Sequence, residues 1–267
     1  MKAAAPPYRW DPADYARNSA SQAEWARELM ERLDLRGDEW ILDVGCGDGK
    51  VSAALAARVP GGRVTGIDAS AEMVAFAAAA HPPGAFPNLE FVRMDARRIR
   101  FRERYDRVFS NAALHWIVDH RPVLAGIHAA LKPSGRVLVQ MGGRGNAAGV
   151  VEVLDDLMHR DEWRRYFSGF TFPYGFHAPE NYAPLLSAAG FEIRRMELLT
   201  RHRVHADLDA FRGWIRTQWL PYTSRVPEGL RPRFIDTVAR EYRRRHPGTG
   251  EAVVVEMKRL EFEAVRP

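Results

Sequence analysis

Four short apolar runs each end in a group able to hold a polar ligand. "WILDVGCGDGK" (40–50) passes through Asp43 into Gly45, Gly47 and Gly49; "RVTGID" ends in Asp68, "LEFVRMD" in Asp95 and "YDRVFSN" in Asn111. Glycines at this density mark a backbone that must turn sharply, or that something must approach closely. A carboxylate at Asp68 can accept hydrogen bonds from both hydroxyls of a ribose, as in nucleotide-binding α/β folds. Asp95, followed by Ala96, can accept from an adenine amino group. Each acid alone could equally form a turn or cap a helix. A glycine loop, two acids and an amide at four consecutive run ends are hard to reconcile with chance. The loop matches neither common phosphate fingerprint. Lys50 stands where G-x-G-x-x-G needs its third glycine, and no G-x-x-x-x-G-K-[ST] occurs.

The elements that must position these groups follow from hydrophobic spacing. Trp25, Leu29 and Leu33 share one face of a helix within 18–34, which Ser19 or Ser21 could cap. "WILDV" predicts a buried strand and Val51 to Val59 a helix. "RVTGID" is a second strand, and "SAEMVAFAAAA" a helix capped by Ser70 and stopped at His81-Pro82-Pro83-Gly84. "LEFVRMD" and "YDRVFSN" are the third and fourth strands. A helix over 120–131 is closed by "KPSG", and "RVLVQM" is the fifth strand. Strands alternating with helices across 40–141 specify a doubly wound parallel sheet with right-handed crossovers.

Beyond Met141 the pattern loosens. A helix is expected over 147–160, then an aromatic loop, "WRRYFSGFTFPYGFH". "ENYAPLLSAAG" reads as a helix ending at Gly190, and "FEIRRMELLT" as a sixth strand. Residues 207–245 read as helix in two pieces, broken around "LPYTSRVPEG", and "EAVVVEMKRLEFEAV" as the closing strand. The expected fold class is α/β: a doubly wound, mostly parallel, seven-stranded Rossmann-like sheet with helical cap inserts. One domain is expected over 1–267, with a lid and helix in 1–35, a cofactor-binding core in 40–141, and caps in 142–180 and 205–248.

At this point the chain resembles the class I S-adenosylmethionine-dependent methyltransferases. "LDVGCGDG" is similar to their first motif, "GIDAS" with Met73 to their second, "MDA" to their third and "SNAALHW" to their fourth. The resemblance implies S-adenosylmethionine as cofactor, lying along the loop of Asp43, Gly45 and Gly47. It implies that Asp68 holds the ribose, that Met73 packs near the adenine, that Asp95 with Ala96 binds the amino edge, and that Ala69 and Asn111 belong to the same cofactor site. The loop would then be glycine-rich because the cofactor lies against its backbone. "RWDPADYARNSASQ", "SNAALHWIVDH", "VLVQM" and "ENYAPLLSAAGFEI" resemble, more narrowly, the trans-aconitate methyltransferase group. That likeness implies a lid in which Tyr15, Ser19 and Gln22 close over the cofactor, and cap helices carrying Trp214.

Methyl transfer from a sulfonium is an in-line displacement that needs alignment and a dry site. A carboxylate acceptor is already ionised at neutral pH and needs no base, whereas a hydroxyl or amine acceptor usually does. His115 and His177 are the candidate bases; His115 could instead orient the acceptor. Trp116 is a candidate pocket wall. Arg144, in "QMGGRGN", is a candidate carboxylate anchor with no acid beside it in sequence. Arg201, His202 and Arg203 form a second basic cluster. The expected reaction is O-methylation of the carboxylate of a small organic acid. The alternatives are a larger apolar acid, an acyl-carrier-bound acid or a natural-product hydroxyl as acceptor, or cofactor binding without turnover.

Bulk properties narrow the setting. A single cysteine, Cys46, excludes an intramolecular disulfide and fits a reducing compartment. No apolar run approaches the ~20 residues of a membrane span, so a cytoplasmic protein is expected. The net charge of +5 invites a nucleic-acid reading, yet acids interleave the densest basic stretch, "RMDARRIRFRERYDR". The partner expected is a small anionic acceptor, with no nucleic acid and no membrane. No Cys/His/Asp cluster has metal-ligand spacing, so no metal is expected.

Overall fold

The computed structural model describes residues 10–14, 20–248 and 250–267, with side chains from Trp25 onward in the first long helix. The strands are β1 (Trp40–Val44), β2 (Arg63–Asp68), β3 (Leu89–Arg93), β4 (Tyr105–Asn111), β5 (Leu131–Gly142), β6 (Glu192–His205) and β7 (Val253–Val265). Among the described residues these seven form one sheet, in the order β3-β2-β1-β4-β5-β7-β6. Strands β1 to β5 pair in parallel, and β7 runs antiparallel to β5. β1 lies between β2 and β4, so strand order reverses there, which is where open α/β sheets bind ligands.

The helices between them are α1 (Ala20–Met30), α2 (Lys50–Arg58), α3 (Ala71–Ala80), α4 (Arg121–Ala130) and α6 (Pro179–Ala188). They explain why β1 and β2 read as continuous apolar runs: both faces of the sheet are covered. Leu42, Val44, Val108, Val137 and Val139 pack on one side with Leu124 and Ile127 of α4. Ile41, Phe109 and Leu138 pack on the other with Leu29 of α1 and Leu55 of α2. Adjacent strand residues alternate between the two cores. Ser70 caps α3 as expected, its hydroxyl accepting from Met73 N at 3.2 Å.

The chain divides into two compact units. One comprises 19–144, 174–199 and 258–267; the other comprises 145–173, 200–257 and the described part of 1–18. The second contains α5 (Ala148–His159), α7 (Leu208–Gln218), α8 (Leu220–Thr223) and α9 (Arg231–Arg245). Its core is aromatic: the Trp163 and Phe167 rings meet Phe234 at 5.1 and 5.7 Å. The expected caps, 142–180 and 205–248, fall largely here.

Three boundaries differ from the sequence reading. β5 begins at Leu131, so "KPSG" lies inside the strand. The end of β7 holds it there, with Ser134 N donating to Arg266 O and Arg266 N to Gly135 O. Ser134 is left-handed at φ 62, and the β4–β5 register slips between Tyr105 and Arg107, as a bulge requires. β6 continues past Thr200 to His205. There Arg203 and His205 are buried while His202 and Val204 are exposed, so the alternation persists with the polarities exchanged. The "LPYTSRVPEG" break contains the single turn of α8.

Candidate active site

The glycine loop leaves β1 with Gly45, Gly47 and Gly49 all left-handed, at φ 80, 53 and 82. A Cβ on Gly45 would stand 2.1 Å from the Ala113 Cβ. One on Gly49 would meet Phe91 Cζ at 2.7 Å and the Ala77 Cβ at 2.9 Å. The protein's own packing therefore demands two of the three glycines. Gly45 N and Cys46 N donate to Ile67 O, which pins the loop to β2.

Asp43 is only 2% exposed and accepts from Ser52 Oγ at 2.6 Å. Burial, reinforced by the charges of Asp68 and Asp48, raises its carboxyl to about 7. Asp68 closes β2, half-buried. Its Oδ2 accepts from Gly47 N at 3.2 Å and its Oδ1 from Ser70 N at 2.9 Å. One carboxylate thus ties the glycine loop to the start of α3, with lone pairs remaining for further donors. Burial raises its pKa, against these backbone N–H groups. Ala69 is exposed and Met73 buried. Asp95 caps a short 3-10 turn through Arg97 N and pairs with the Arg97 guanidinium, which chiefly lowers its pKa. Ala96 and Asn111 are half-buried at the ends of β3 and β4. Ala112, just beyond, is left-handed at φ 54 and donates its N–H to Gln140 O. These residues gather at the carboxyl ends of β1 to β4.

His115 follows, in the 3-10 turn Leu114–Trp116, and is 9% exposed. Its Nδ1 accepts from Gly142 N at 3.3 Å. Burial, then the charges of Arg259 and His120, hold its pKa well below the ordinary histidine range. The ring is therefore neutral, with Nδ1 engaged and Nε2 carrying the proton. The Trp116, Tyr174 and Phe176 rings stand around it at 5.6, 6.3 and 5.9 Å. The aromatic loop thus serves both units: Trp163, Phe167 and Phe170 are core of the second, while Tyr174, Phe176 and His177 belong with His115.

His177 packs against His120 and Tyr182, with its Nε2 sealed from solvent. His120 is buried and tied at both nitrogens, to the Tyr182 hydroxyl and to the Leu114 and Ile117 carbonyls. Burial drops its pKa to about 4. Arg144 has an acid partner that sequence distance concealed: Glu180, at 2.9 Å, with Asn181 Oδ1 beside it. Its side chain is 60% exposed. Trp214 lies in the second unit, 3% exposed, stacked with Phe211 and with the Arg203 guanidinium over its ring at 5.4 Å. Tyr15, Ser19 and the Gln22 side chain lie outside the described residues.

Residues 41–135 match a family described as a methyltransferase domain. The chain is 31% identical over 229 residues to the trans-aconitate 2-methyltransferase of Shigella flexneri serotype 5b, covering 85% of each chain. The chain belongs to the class I S-adenosylmethionine-dependent methyltransferases. Against the enzyme of Shigella dysenteriae serotype 1 identity is 34% over 186 residues, 69% of each chain. Among solved structures, the YcgJ protein from Bacillus subtilis superposes with a TM-score of 0.62 at 20% identity, covering 91% of this chain and 98% of that one. Haemonchus contortus phosphoethanolamine N-methyltransferase 2, in complex with S-adenosylmethionine, gives 0.62 at 18%, covering 96% and 56%. These two establish the shared fold.

The methyltransferase is an enzyme, its cofactor is S-adenosylmethionine and its acceptor is a small molecule. The residues present fit that cofactor. Carboxylates close β2 and β3, buried Met73 lies between them in the chain, and left-handed glycines precede them. Sequence reasoning missed Ser52, His120 and Arg259. Ser52 lies one helical turn into α2, and only the burial of Asp43 marks it. Arg259 was hidden in the charged-apolar alternation of "EMKRLEFE".

Proposed function

We propose that the methyltransferase esterifies a carboxylate of a small, multiply charged organic acid. One observation carries this reading: the imidazole just past β4 accepts from Gly142 N–H at Nδ1, which leaves Nε2–H to donate. Such a site suits an acceptor that needs no deprotonation, and a carboxylate is ionised throughout the neutral range. The named activity of the relatives, trans-aconitate 2-methylation, supports it.

When bound, S-adenosylmethionine supplies an activated methyl group. The chain's contribution is placement. Asp68, Asp95 with Ala96, Met73 and the glycine loop hold the cofactor against the sheet. Asn111 and the left-handed Ala112 turn shape the floor, and Trp116, Tyr174 and Phe176 exclude water around His115. His115 Nε2–H donates to the acceptor and orients it for in-line attack by a carboxylate oxygen. The same rings favour a second reading, a larger apolar acid, whose hydrocarbon would lie against them.

Incubation with methyl-labelled cofactor and a panel of di- and tricarboxylates, phenols and alcohols tests this. The expected product is a methyl ester that releases methanol in mild base. A base-stable methyl ether as the main product overturns the proposal.

A further inference from the structure

We propose that Tyr182 and His120 are positioning residues for methyl transfer, a hydrogen-bonded chain from α6 that holds the turn carrying His115. The inference rests on the reading above, in which His115 orients a carboxylate acceptor, and it names what fixes that imidazole. His120 Nε2 lies 3.0 Å from Leu114 O and 2.8 Å from Ile117 O, the carbonyls on either side of His115. Carbonyl oxygens only accept, so Nε2 carries the proton. Nδ1 of the neutral ring is then an acceptor, and the Tyr182 hydroxyl donates to it at 2.9 Å. Burial agrees with this assignment, since it keeps the His120 ring neutral and the Tyr182 phenol protonated.

The turn needs such a tie. Its own bonds are those of a single 3-10 turn, Trp116 N to Ala113 O and Ile117 N to Leu114 O, and one turn is too short to hold itself. Other contacts on His115 fix parts of it: its carbonyl accepts from Gly175 N at 2.9 Å, and its Nδ1 from Gly142 N. His120 adds one shared donor to both flanking carbonyls, and so sets the plane in which the His115 Nε2–H is aimed. The fit is close. A Cβ on Gly175 would stand 2.3 Å from Ile117 O and 3.1 Å from His120 Nε2. Tyr182 is fully buried, its ring 5.2 Å from Phe262 and edge-on to His120 at 5.4 Å, so the hydroxyl is delivered from a fixed point of the core.

Tyr182→Phe and His120→Asn, each alone and combined with His115→Phe, test this in the full chain. Trans-aconitate is the acceptor, and calorimetric binding of S-adenosylhomocysteine is the control for an intact cofactor site. Each single variant should bind S-adenosylhomocysteine as the wild type does and lower kcat/KM roughly three- to tenfold, no more than the loss of His115 itself. Combined with His115→Phe, the same changes should cost less than about twofold, because residues that act through one group are not additive. His120→Gln, whose amide N–H can reach the two carbonyls, should recover part of the His120→Asn loss. Tyr182→Phe keeps the ring and removes only the hydroxyl, and it decides alone if His120→Asn does not fold. Equal fold-losses with and without His115, or no loss in either, overturn the inference and leave carboxyl methylation standing. So does a Tyr182→Phe enzyme that no longer binds S-adenosylhomocysteine. A wild-type enzyme that esterifies no carboxylate overturns both.

Discussion

His115 shows how far one side chain can decide the chemistry. Because its Nδ1 is occupied and its ring neutral, His115→Phe should lower kcat/KM by roughly tenfold through lost orientation, about one neutral hydrogen bond. The rate of either enzyme should stay nearly flat from pH 6 to 9. A rate that climbs through pH 6–7 in the wild type and vanishes in the variant would assign His115 as a base. Arg144→Ala should raise the acceptor KM only a few-fold, since an exposed ion pair contributes roughly 0–1 kcal/mol. Asp68→Ala should weaken cofactor binding by about 2–3 kcal/mol in calorimetry, because charge-assisted acceptors are lost; unchanged affinity would remove it from the ribose. Gly45 gives a stability test. Gly45→Ala forces a Cβ into Ala113 from a left-handed backbone, whereas Gly169, left-handed at φ 65, has open space around it. Urea unfolding should show Gly169→Ala costing about 1 kcal/mol and Gly45→Ala at least 3.

At the scale of elements, strand identity was legible wherever apolar residues alternate or run together, because burial dictates both patterns. The strands from β1 to β4 and the Ser70 cap are what their residues require. The misplaced boundaries have one cause each. "KPSG" carries every local signal of a helix stop, yet a partner strand more than a hundred residues away draws it into β5. "RHRVH" reads as surface, yet its cations and imidazole take the inward positions of β6. The groups proposed to hold the cofactor were legible because they sit at strand ends, fixed by local sequence. The acceptor half was not. Arg144 finds Glu180, and His115 finds Gly142, only once the chain is folded. One cap the sequence did not single out is Asp207, whose Oδ1 accepts from Ala210 N at 2.7 Å at the start of α7. Asp207→Ala should cost about 1 kcal/mol in unfolding free energy.

Across the whole molecule, the buried histidines set the response to acid. His120 and His205 are pushed by burial to about 4 and about 3, and His115 also lies well below its ordinary value. Between those values and 6.5 the unfolded chain binds protons that the native protein does not, so stability rises with pH across that window. Asp43, raised to about 7, and Asp68, also raised by burial, act in the opposite sense, because a native carboxyl with a raised pKa keeps a proton that the unfolded chain has lost. The lowered histidines, which also include His81, His128 and His177, outnumber these two carboxyls. Denaturant melts should therefore show a net loss of roughly 2–4 kcal/mol on acidification from pH 6.5 to 5. The strand order carries a kinetic consequence as well. β7 is the seventh strand in the chain but sits between β5 and β6, so β5 pairs only with β4 until more than a hundred further residues have been made. Until then the Val137–Met141 edge is open to any other strand, and refolding yield should fall steeply with protein concentration.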